Sequence, residues 1–248
     1  MFKTTKGLIL REVKYKEADR ILTVLTEDMG KITVKARGAL RKGSKTGAAT
    51  QLFAFSELSL FENRGYWTVN EASTIEEFKG LRADISALAL ASYFAECAEA
   101  LSDEDQPNPL LLQLILNCLF ALSNGLYEQQ HIKTAFEMRL MCLAGYGPEL
   151  YACPECGEEN PEEPLFSSQN GMICCRRCRK MEHGITVRLD HDSLQALRYL
   201  CECEARKILA FKIGDDSEKN AAYAAENYLI TQTERRFPAL DYWKKVKI

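Results

Sequence analysis

The sequence predicts an α+β protein with a five-stranded N-terminal β-barrel and a C-terminal all-α domain into which a four-cysteine hairpin is inserted. Five segments with strand patterning lie within roughly the first 75 residues. Apolar stripes with helical spacing follow from residue 81, and five of the ten cysteines lie between Cys153 and Cys178. The expected divisions are residues 1–80 for the barrel, 81–150 and 184–248 for the helices, and 151–183 for the hairpin.

The composition is that of an ordinary globular protein. The 248 residues are 46% apolar and 27% charged, which excludes a wholly disordered or collagen-like chain. The longest nearly apolar run covers residues 110–122, whereas a membrane-spanning helix needs about 20 such residues. The N-terminus lacks the long apolar stretch of a signal peptide. We therefore expect a soluble cytoplasmic protein with reduced thiols and no membrane partner.

The barrel is predicted from strand patterns over residues 7–13, 20–26, 31–37 and 55–61, with a fifth strand opening at Tyr66. Between Lys31 and Arg37, cationic or polar residues alternate with apolar ones. This alternation places Ile32, Val34 and Ala36 on one face of a strand. Closely spaced turns without a long intervening helix favour a small closed barrel. From the pattern alone, an SH3-like barrel is also possible.

Positive charge is concentrated near the N-terminus. Residues 1–47 carry 12 Lys and Arg against 5 Asp and Glu, a net charge of +7, so the rest of the chain carries −10. The segment from Lys31 to Gly47 holds no acidic residue and six cations, which are the candidate DNA-binding residues Lys31, Lys35, Arg37, Arg41, Lys42 and Lys45. Such a segment suits a polyanion, and the alternative is a solvated basic loop without a partner.

The helical part has five apolar stripes, within residues 84–101, 109–124, 132–143, 192–204 and 219–234, and their simplest interpretation is core packing. His131 and His191 lie near predicted helix starts, where we expect ordinary surface residues. No histidine belongs to a visible catalytic constellation, and no nucleotide-binding or nucleophile motif is present. We therefore expect a protein that is not an enzyme.

The cysteine cluster has the spacing of a metal site. Cys153 and Cys156 form one C-x2-C pair, and Cys175 and Cys178 form a second pair after 18 intervening residues. Each pair can direct two thiolates at one tetrahedral zinc ion, and four thiolates leave no position for a reacting water. The spacing therefore predicts one structural zinc per chain. Four alternatives remain: Cys174 in place of Cys175, His183 as a substitute ligand, a redox dithiol, and thiols that bind no metal.

Several segments together resemble the bacterial RecO family of recombination mediators. Residues 16–26, KEADRILTVLT, are similar to its E-x-D-[KR]-[IL]-[VL]-T-x-[LF]-T stretch. Gly30-Lys-Ile and residues 35–39, KARGA, are similar to its next segment, and residues 52–58 to the region after the basic loop. Residues 145–150, GYGPEL, resemble the approach to the zinc hairpin. The doubled Cys174-Cys175 departs from the simple C-x2-C of many relatives.

The resemblance implies an OB-fold barrel that binds single- and double-stranded DNA without sequence specificity and anneals complementary strands. It also implies partnership with RecR in loading RecA onto strands covered by the single-strand-binding protein, with RecF involved indirectly, in the bacterial cytoplasm near the nucleoid. Tyr66 or Trp67 is a candidate for base stacking, and packing in the barrel is the alternative. The rival functions are a zinc-stabilised transcription or translation factor, an enzyme with an unseen site in the helical domain, and a protein–protein adaptor.

Overall fold

A computed structural model describes residues 1–178 and 184–247. Contacts divide the chain into two compact units, which we call unit 1 and unit 2. Unit 1 comprises Met1–Asn124 and the C-terminal segment that begins at Pro238, and unit 2 comprises Gly125–Phe237. The three-part division at residues 80, 150 and 183 stays a prediction, because grouping by contacts does not test which segments fold independently.

Five strands at the N-terminus close into a barrel. They are β1 (Phe2–Tyr15), β2 (Asp19–Thr26), β3 (Lys31–Ala36), β4 (Phe55–Asn63) and β5 (Tyr66–Glu76). Their order around the barrel is β1-β2-β3-β5-β4. Neighbours pair antiparallel except β3 and β5, which are parallel. This is a closed five-stranded barrel with OB-fold strand order, so the predicted barrel is confirmed and the SH3-like alternative is excluded.

The barrel interior follows the predicted alternation. Ile32, Val34 and Ala36 of β3 are buried, while Thr33 and Arg37 are exposed. They join a core that β1, β2, β4 and β5 complete, with members such as Ile9, Leu22, Val24, Leu58 and Leu60. Strand β1 begins earlier than predicted because Phe2 to Leu8 pair with β4. That stretch has little apolar alternation, so its pairing could not be read from the sequence.

The described residues form six α-helices, which are α1 (Ile85–Leu101), α2 (Pro109–Ser123), α3 (Gln129–Leu143), α4 (His191–Glu202), α5 (Asp215–Thr233) and α6 (Pro238–Val246). The first five match the predicted stripes. Helix α6 was not predicted because only Leu240 and Trp243 of its nine residues are buried. No helix among the described residues is long and apolar enough to cross a membrane.

In unit 1 two glycines allow close backbone approach between elements. Gly30 has φ +69°, and a Cβ there would lie 2.5 Å from the backbone of Gln106. A Cβ on Gly80 would lie 1.8 Å from the Ser123 carbonyl oxygen. A real Cβ does not fit at either distance, so larger residues would displace the segments that adjoin α2. Gly30 opens the Gly30-Lys-Ile segment of the family resemblance.

In unit 2, helices α3, α4 and α5 accompany a small sheet. Its strands are β6 (Leu165–Ser167), β7 (Met172–Cys174) and β8 (Thr186–Arg188), in the order β7-β6-β8. The hairpin predicted between the two cysteine pairs is confirmed by the pairing of Phe166 with Ile173. Strand β8 was not predicted because three residues are too short to show a period. The Phe166 ring packs against Tyr228 of α5, with centroids 5.3 Å apart.

Unit 2 also contains charged and polar side chains whose burial the sequence analysis did not predict. The Lys133 ammonium is fully buried and lies 2.9 Å from Glu137 and 2.8 Å from Glu226. His131 is buried between the rings of Tyr127 and Phe211, so its prediction as a surface residue was wrong.

Candidate nucleic-acid interface and metal centre

The segment after β3 is held by the first two residues of β2. One carboxylate oxygen of Asp19 accepts the Gly38 N–H at 2.9 Å, and the other lies 3.1 Å from the Lys35 ammonium. The hydrogen bond from Gly38, followed by that from Lys35, lowers the pKa of Asp19. The Arg20 guanidinium donates to the Gly47 carbonyl at 2.9 Å and to the Thr50 hydroxyl at 3.2 Å. Both ends of the segment are thereby fixed to the barrel.

We define the basic loop as residues 37–47. Its four cationic side chains, Arg37, Arg41, Lys42 and Lys45, are all exposed. Within the described residues none of them forms an ion pair, because no acidic group lies within 4 Å of their charged atoms. The loop therefore presents uncompensated positive charge on an ordered backbone.

The two other predicted DNA-binding residues have protein partners. The Lys31 ammonium donates to the Glu99 carbonyl of α1 at 2.7 Å, and Lys35 pairs with Asp19 as described above. Both are half-buried, whereas the loop cations are exposed. The structure thus assembles the six predicted residues on and beside β3. It leaves four of them more available to a phosphate than the other two, while the DNA-binding role of all six stays a prediction.

Three aromatic residues lie near these cations or at the neighbouring turn. Tyr66 is 78% exposed, and Trp67 is partly buried against the barrel core. Tyr15, which the sequence analysis did not single out, is 42% exposed at the end of β1. The Lys35 ammonium lies 4.7 Å from its ring centroid, and that of Lys16 lies 5.5 Å away. The sequence signal that could have identified Tyr15 is an aromatic residue directly before the turn of a β-hairpin that carries several Lys and Arg residues.

The four predicted metal ligands come together in unit 2. The Sγ atoms of Cys153, Cys156, Cys175 and Cys178 all lie within 4.8 Å of one another. The Cys156 and Cys175 sulfurs are 3.7 Å apart. A tetrahedral zinc with Zn–S bonds of about 2.3 Å separates its sulfur ligands by about 3.8 Å, so the spacing fits a zinc ion. The cluster can hold a metal ion.

The backbone around the cluster is arranged for thiolates. Burial would raise the pKa of Cys153, but hydrogen bonds from the backbone N–H groups of Cys175, Glu155 and Cys156 outweigh it and lower the pKa to about 6. Hydrogen bonds to the neighbouring thiols of Cys175 and Cys156, followed by burial, raise the pKa of Cys178 to about 12. Four sulfurs this close cannot all ionise unless a cation offsets their mutual repulsion.

The geometry favours Cys175 over Cys174. The Cys174 sulfur lies 3.9 Å from that of Cys153, but it stands outside the four-sulfur cluster. Cys175 is 4% exposed and belongs to that cluster. His183, the other alternative ligand, lies outside the described residues. Cys156 is exposed, so the cluster has one solvent-facing side.

Arg198 of α4 fastens the cysteine segment to the helices of unit 2. Its guanidinium donates to the carbonyl oxygens of Leu150, Tyr151 and Glu159 at 2.8, 3.1 and 2.7 Å. It also lies 5.3 Å from the Tyr151 ring centroid. The sequence analysis missed this residue because its hydrogen-bond partners, mostly backbone carbonyls, lie 38 to 48 positions away, where side-chain patterns give no signal.

Comparisons with known proteins cover both parts of the chain. Residues 1–78 match the family model for the N terminus of recombination protein O, and residues 82–241 match that for its C terminus. The chain is 30% identical over 240 residues to DNA repair protein RecO of Acetivibrio thermocellus, covering 97% of this chain and 95% of that one.

Two further relatives give similar values. DNA repair protein RecO of Alkaliphilus metalliredigens is 31% identical over 246 residues, covering 98% of each chain. That of Dehalococcoides mccartyi is 33% identical over 233 residues, covering 93% of this chain and 91% of the relative. The matches to the two family models cover nearly the whole chain, and the barrel and the four-cysteine cluster are consistent with them. The chain belongs to the RecO family of DNA repair proteins.

Proposed function

We propose that this RecO-family protein is a recombination mediator. In this proposal it binds single- and double-stranded DNA without sequence specificity and anneals complementary strands. Together with RecR it helps to load RecA onto DNA covered by the single-strand-binding protein. The observation that carries the proposal is the basic loop, whose exposed cations stand on an OB-fold barrel and whose backbone is fixed by Asp19 and Arg20.

The charge distribution accounts for the chemistry of the proposed binding. Exposed Lys and Arg side chains contact phosphates, which every sequence presents alike, so the binding is blind to sequence. Two complementary strands repel each other through their phosphates. A surface that neutralises part of that charge lets base pairing proceed without any acid, base or nucleophile from the protein. No catalytic residue is therefore part of the proposal.

We propose one structural zinc ion, held by Cys153, Cys156, Cys175 and Cys178. When bound, it supplies no reaction chemistry, because four thiolates fill its coordination sphere. Its role is to join the two C-x2-C turns on either side of the β6–β7 hairpin. The sulfur–sulfur spacing and the backbone N–H groups directed at Cys153 support this assignment.

An annealing assay tests the proposed function. Two complementary labelled oligonucleotides are mixed with and without the protein, and duplex formation is followed by energy transfer between the labels. We expect faster annealing with the protein, also when the strands carry the single-strand-binding protein, and faster RecA filament formation when RecR is added. A rate equal to the uncatalysed rate at every protein concentration would contradict the annealing activity. A RecA loading rate unchanged by RecR would contradict the partnership.

A further inference from the structure

Strand register brings Tyr15 and Lys35 to one outer face of the barrel. Tyr15 pairs with Asp19 across β1 and β2, and two residues back along β1 Val13 pairs with Ile21. Ile21 pairs in turn with Lys35 of β3. Directly opposed residues, and residues two apart along a strand, project from the same side of a sheet. The five side chains therefore form one patch beside the start of the basic loop.

This patch has an unusual combination of exposure and charge. Val13 is 49% exposed and Tyr15 42% exposed, although both are large apolar groups in a sheet with a well-filled interior. The Tyr15 ring is flanked by the ammonium groups of Lys35 and Lys16 at 4.7 and 5.5 Å, of which that of Lys35 also pairs with Asp19 at 3.1 Å. An exposed aromatic ring among cations combines the two features by which a single nucleic-acid strand is held, namely stacking of a base and attraction of its phosphate.

The backbone also fixes where the ring stands. Lys16 follows Tyr15 with φ +54°, in the left-handed region that non-glycine residues seldom adopt, so the chain turns sharply at this point. Asp19 on the other side of the turn holds both Lys35 and the first turn of the basic loop. The ring, its flanking cations and the loop are thus positioned by one short segment of the hairpin.

We infer that Tyr15 is the platform on which one unpaired base of a bound strand stacks, and that it makes the barrel prefer single strands over duplex. This inference rests on the proposed DNA binding. It adds that the feature of the DNA recognised by the barrel is an unpaired base. Phosphate contacts alone do not distinguish paired from unpaired bases. A base inside a duplex has both faces covered by its neighbours, so only an unpaired base can reach the ring.

The test compares Tyr15→Ala and Tyr15→Phe with the unsubstituted chain on three labelled probes of equal length: a mixed-sequence single strand, a strand of abasic sites, and a duplex. We expect Tyr15→Ala to lower the affinity for the ordinary strand by about five- to a hundredfold, the range for base-stacking aromatics. Its affinities for the abasic strand and the duplex stay unchanged. Tyr15→Phe retains the ring and restores binding to the ordinary strand.

Tyr223→Ala is the matched control, since it removes an exposed tyrosine in α5 of unit 2, and Tyr66→Ala at the β4–β5 turn tests the other exposed tyrosine that is a candidate for base stacking. The inference is overturned if Tyr15→Ala binds the ordinary strand as well as the unsubstituted chain does, or weakens binding to the abasic strand equally. It is also overturned if Tyr66→Ala alone reproduces the selective loss. A lack of any single-strand binding by the unsubstituted chain would instead overturn the proposed function itself.

Discussion

The basic loop and the four-cysteine segment are both irregular in backbone, yet different forces hold them. The basic loop is held by protein groups alone: Asp19 accepts the Gly38 N–H, and Arg20 donates to the Gly47 carbonyl. The cysteine segment has four sulfurs within 4.8 Å, an arrangement that repels itself once the thiols ionise. We therefore expect the basic loop to keep its conformation without a ligand, and the cysteine segment to depend on a bound ion in addition to its hydrogen bonds with Arg198.

DNA-binding proteins that contain a metal ion differ in whether the ion lies at the DNA-binding surface or in another part of the chain. In one kind the metal shapes the DNA-binding surface directly, and removing the metal abolishes binding. Here the contacts that fix the basic loop all come from residues of unit 1, and the cysteines belong to unit 2. We therefore expect the stability of unit 2 to depend on the metal and the affinity of the barrel for DNA to depend on the loop cations.

The largest expected effect follows chelation of the ion. Structural zinc sites in small domains contribute about 10–16 kcal/mol of binding free energy at neutral pH. We expect a chelator to release one zinc per chain and to abolish hydrogen-exchange protection around β6 and β7, while the protection of β1 to β5 persists. Atomic emission and exchange mass spectrometry measure both. Purified protein that contains no metal would contradict the zinc site. An equal loss of exchange protection in the barrel would contradict the expectation that the metal stabilises unit 2 and not the barrel.

Single cysteine variants sharpen that result. Cys175→Ala removes a thiolate from the cluster, whereas Cys174→Ala leaves all four cluster sulfurs in place. We expect the first variant to lose the zinc and to show the exchange pattern of chelated protein. The second should retain one ion per chain. The reverse outcome would assign Cys174 as the ligand.

The next largest effect is expected for Arg20→Ala. Its side chain is 12% exposed and donates to Gly47 and Thr50, so the substitution removes hydrogen bonds from a charged group that contribute about 1.5–3 kcal/mol. Urea unfolding should show a loss of about 2 kcal/mol for the barrel, with weaker DNA binding because the loop is released. Arg11→Ala is the control. Its ion pair with Glu99 has a 59% exposed guanidinium, and its loss should cost under about 1 kcal/mol.

Removing three loop charges should affect binding and leave folding intact. The Arg37→Ala, Arg41→Ala, Lys42→Ala triple variant lacks three exposed cations without protein partners among the described residues. We expect single-strand affinity to fall by about tenfold or more at moderate salt, with no change in the urea midpoint. A second triple variant, which removes three exposed cations of unit 2 (Arg206→Ala, Lys207→Ala, Lys212→Ala), provides the control, although Arg206 and Lys207 pair with Glu204. An unchanged isotherm for the loop variant would move the DNA site elsewhere.

The smallest effect is expected at the start of α4. The Asp190 carboxylate accepts the Ser193 N–H at 2.8 Å and caps this helix. Asp190→Ala should cost about 1 kcal/mol in unit 2 and leave both DNA affinity and zinc content unchanged. A parallel loss of DNA affinity would show that the two units are energetically linked.

The pH dependence of this cap has a defined sign. Burial alone would raise the pKa of Asp190, but hydrogen bonds from Ser193, Ser217 and Asn220 outweigh it and lower the pKa. A carboxylate with a lowered pKa stabilises the fold above its unfolded-state value, near 3.9. The stability difference between Asp190→Ala and the unsubstituted chain should thus be complete near pH 6 and shrink as the pH falls below about 4. Urea unfolding at both pH values measures it.

The sequence could predict whatever depends on neighbours along the chain. Alternation in residues 31–37 gives the buried face of β3, and the C-x2-C spacing gives the four sulfurs of the cluster. It could not predict groups whose partners are distant in sequence. Lys133 is buried because Glu226 reaches it, and His131 is enclosed by Phe211. Tyr15 lies beside the ammonium group of Lys35, which is 20 positions later in the sequence and on another strand.

The most direct test of the account is a salt titration of binding to a labelled mixed-sequence single strand. Each phosphate contact contributes a slope of about −0.7 to the plot of log affinity against log salt concentration. With Arg37, Arg41, Lys42 and Lys45 exposed on the basic loop, we predict a slope near −3 for the unsubstituted chain and near −1 for the triple variant. Equal slopes for the two proteins, or no binding even at low salt, would contradict the account.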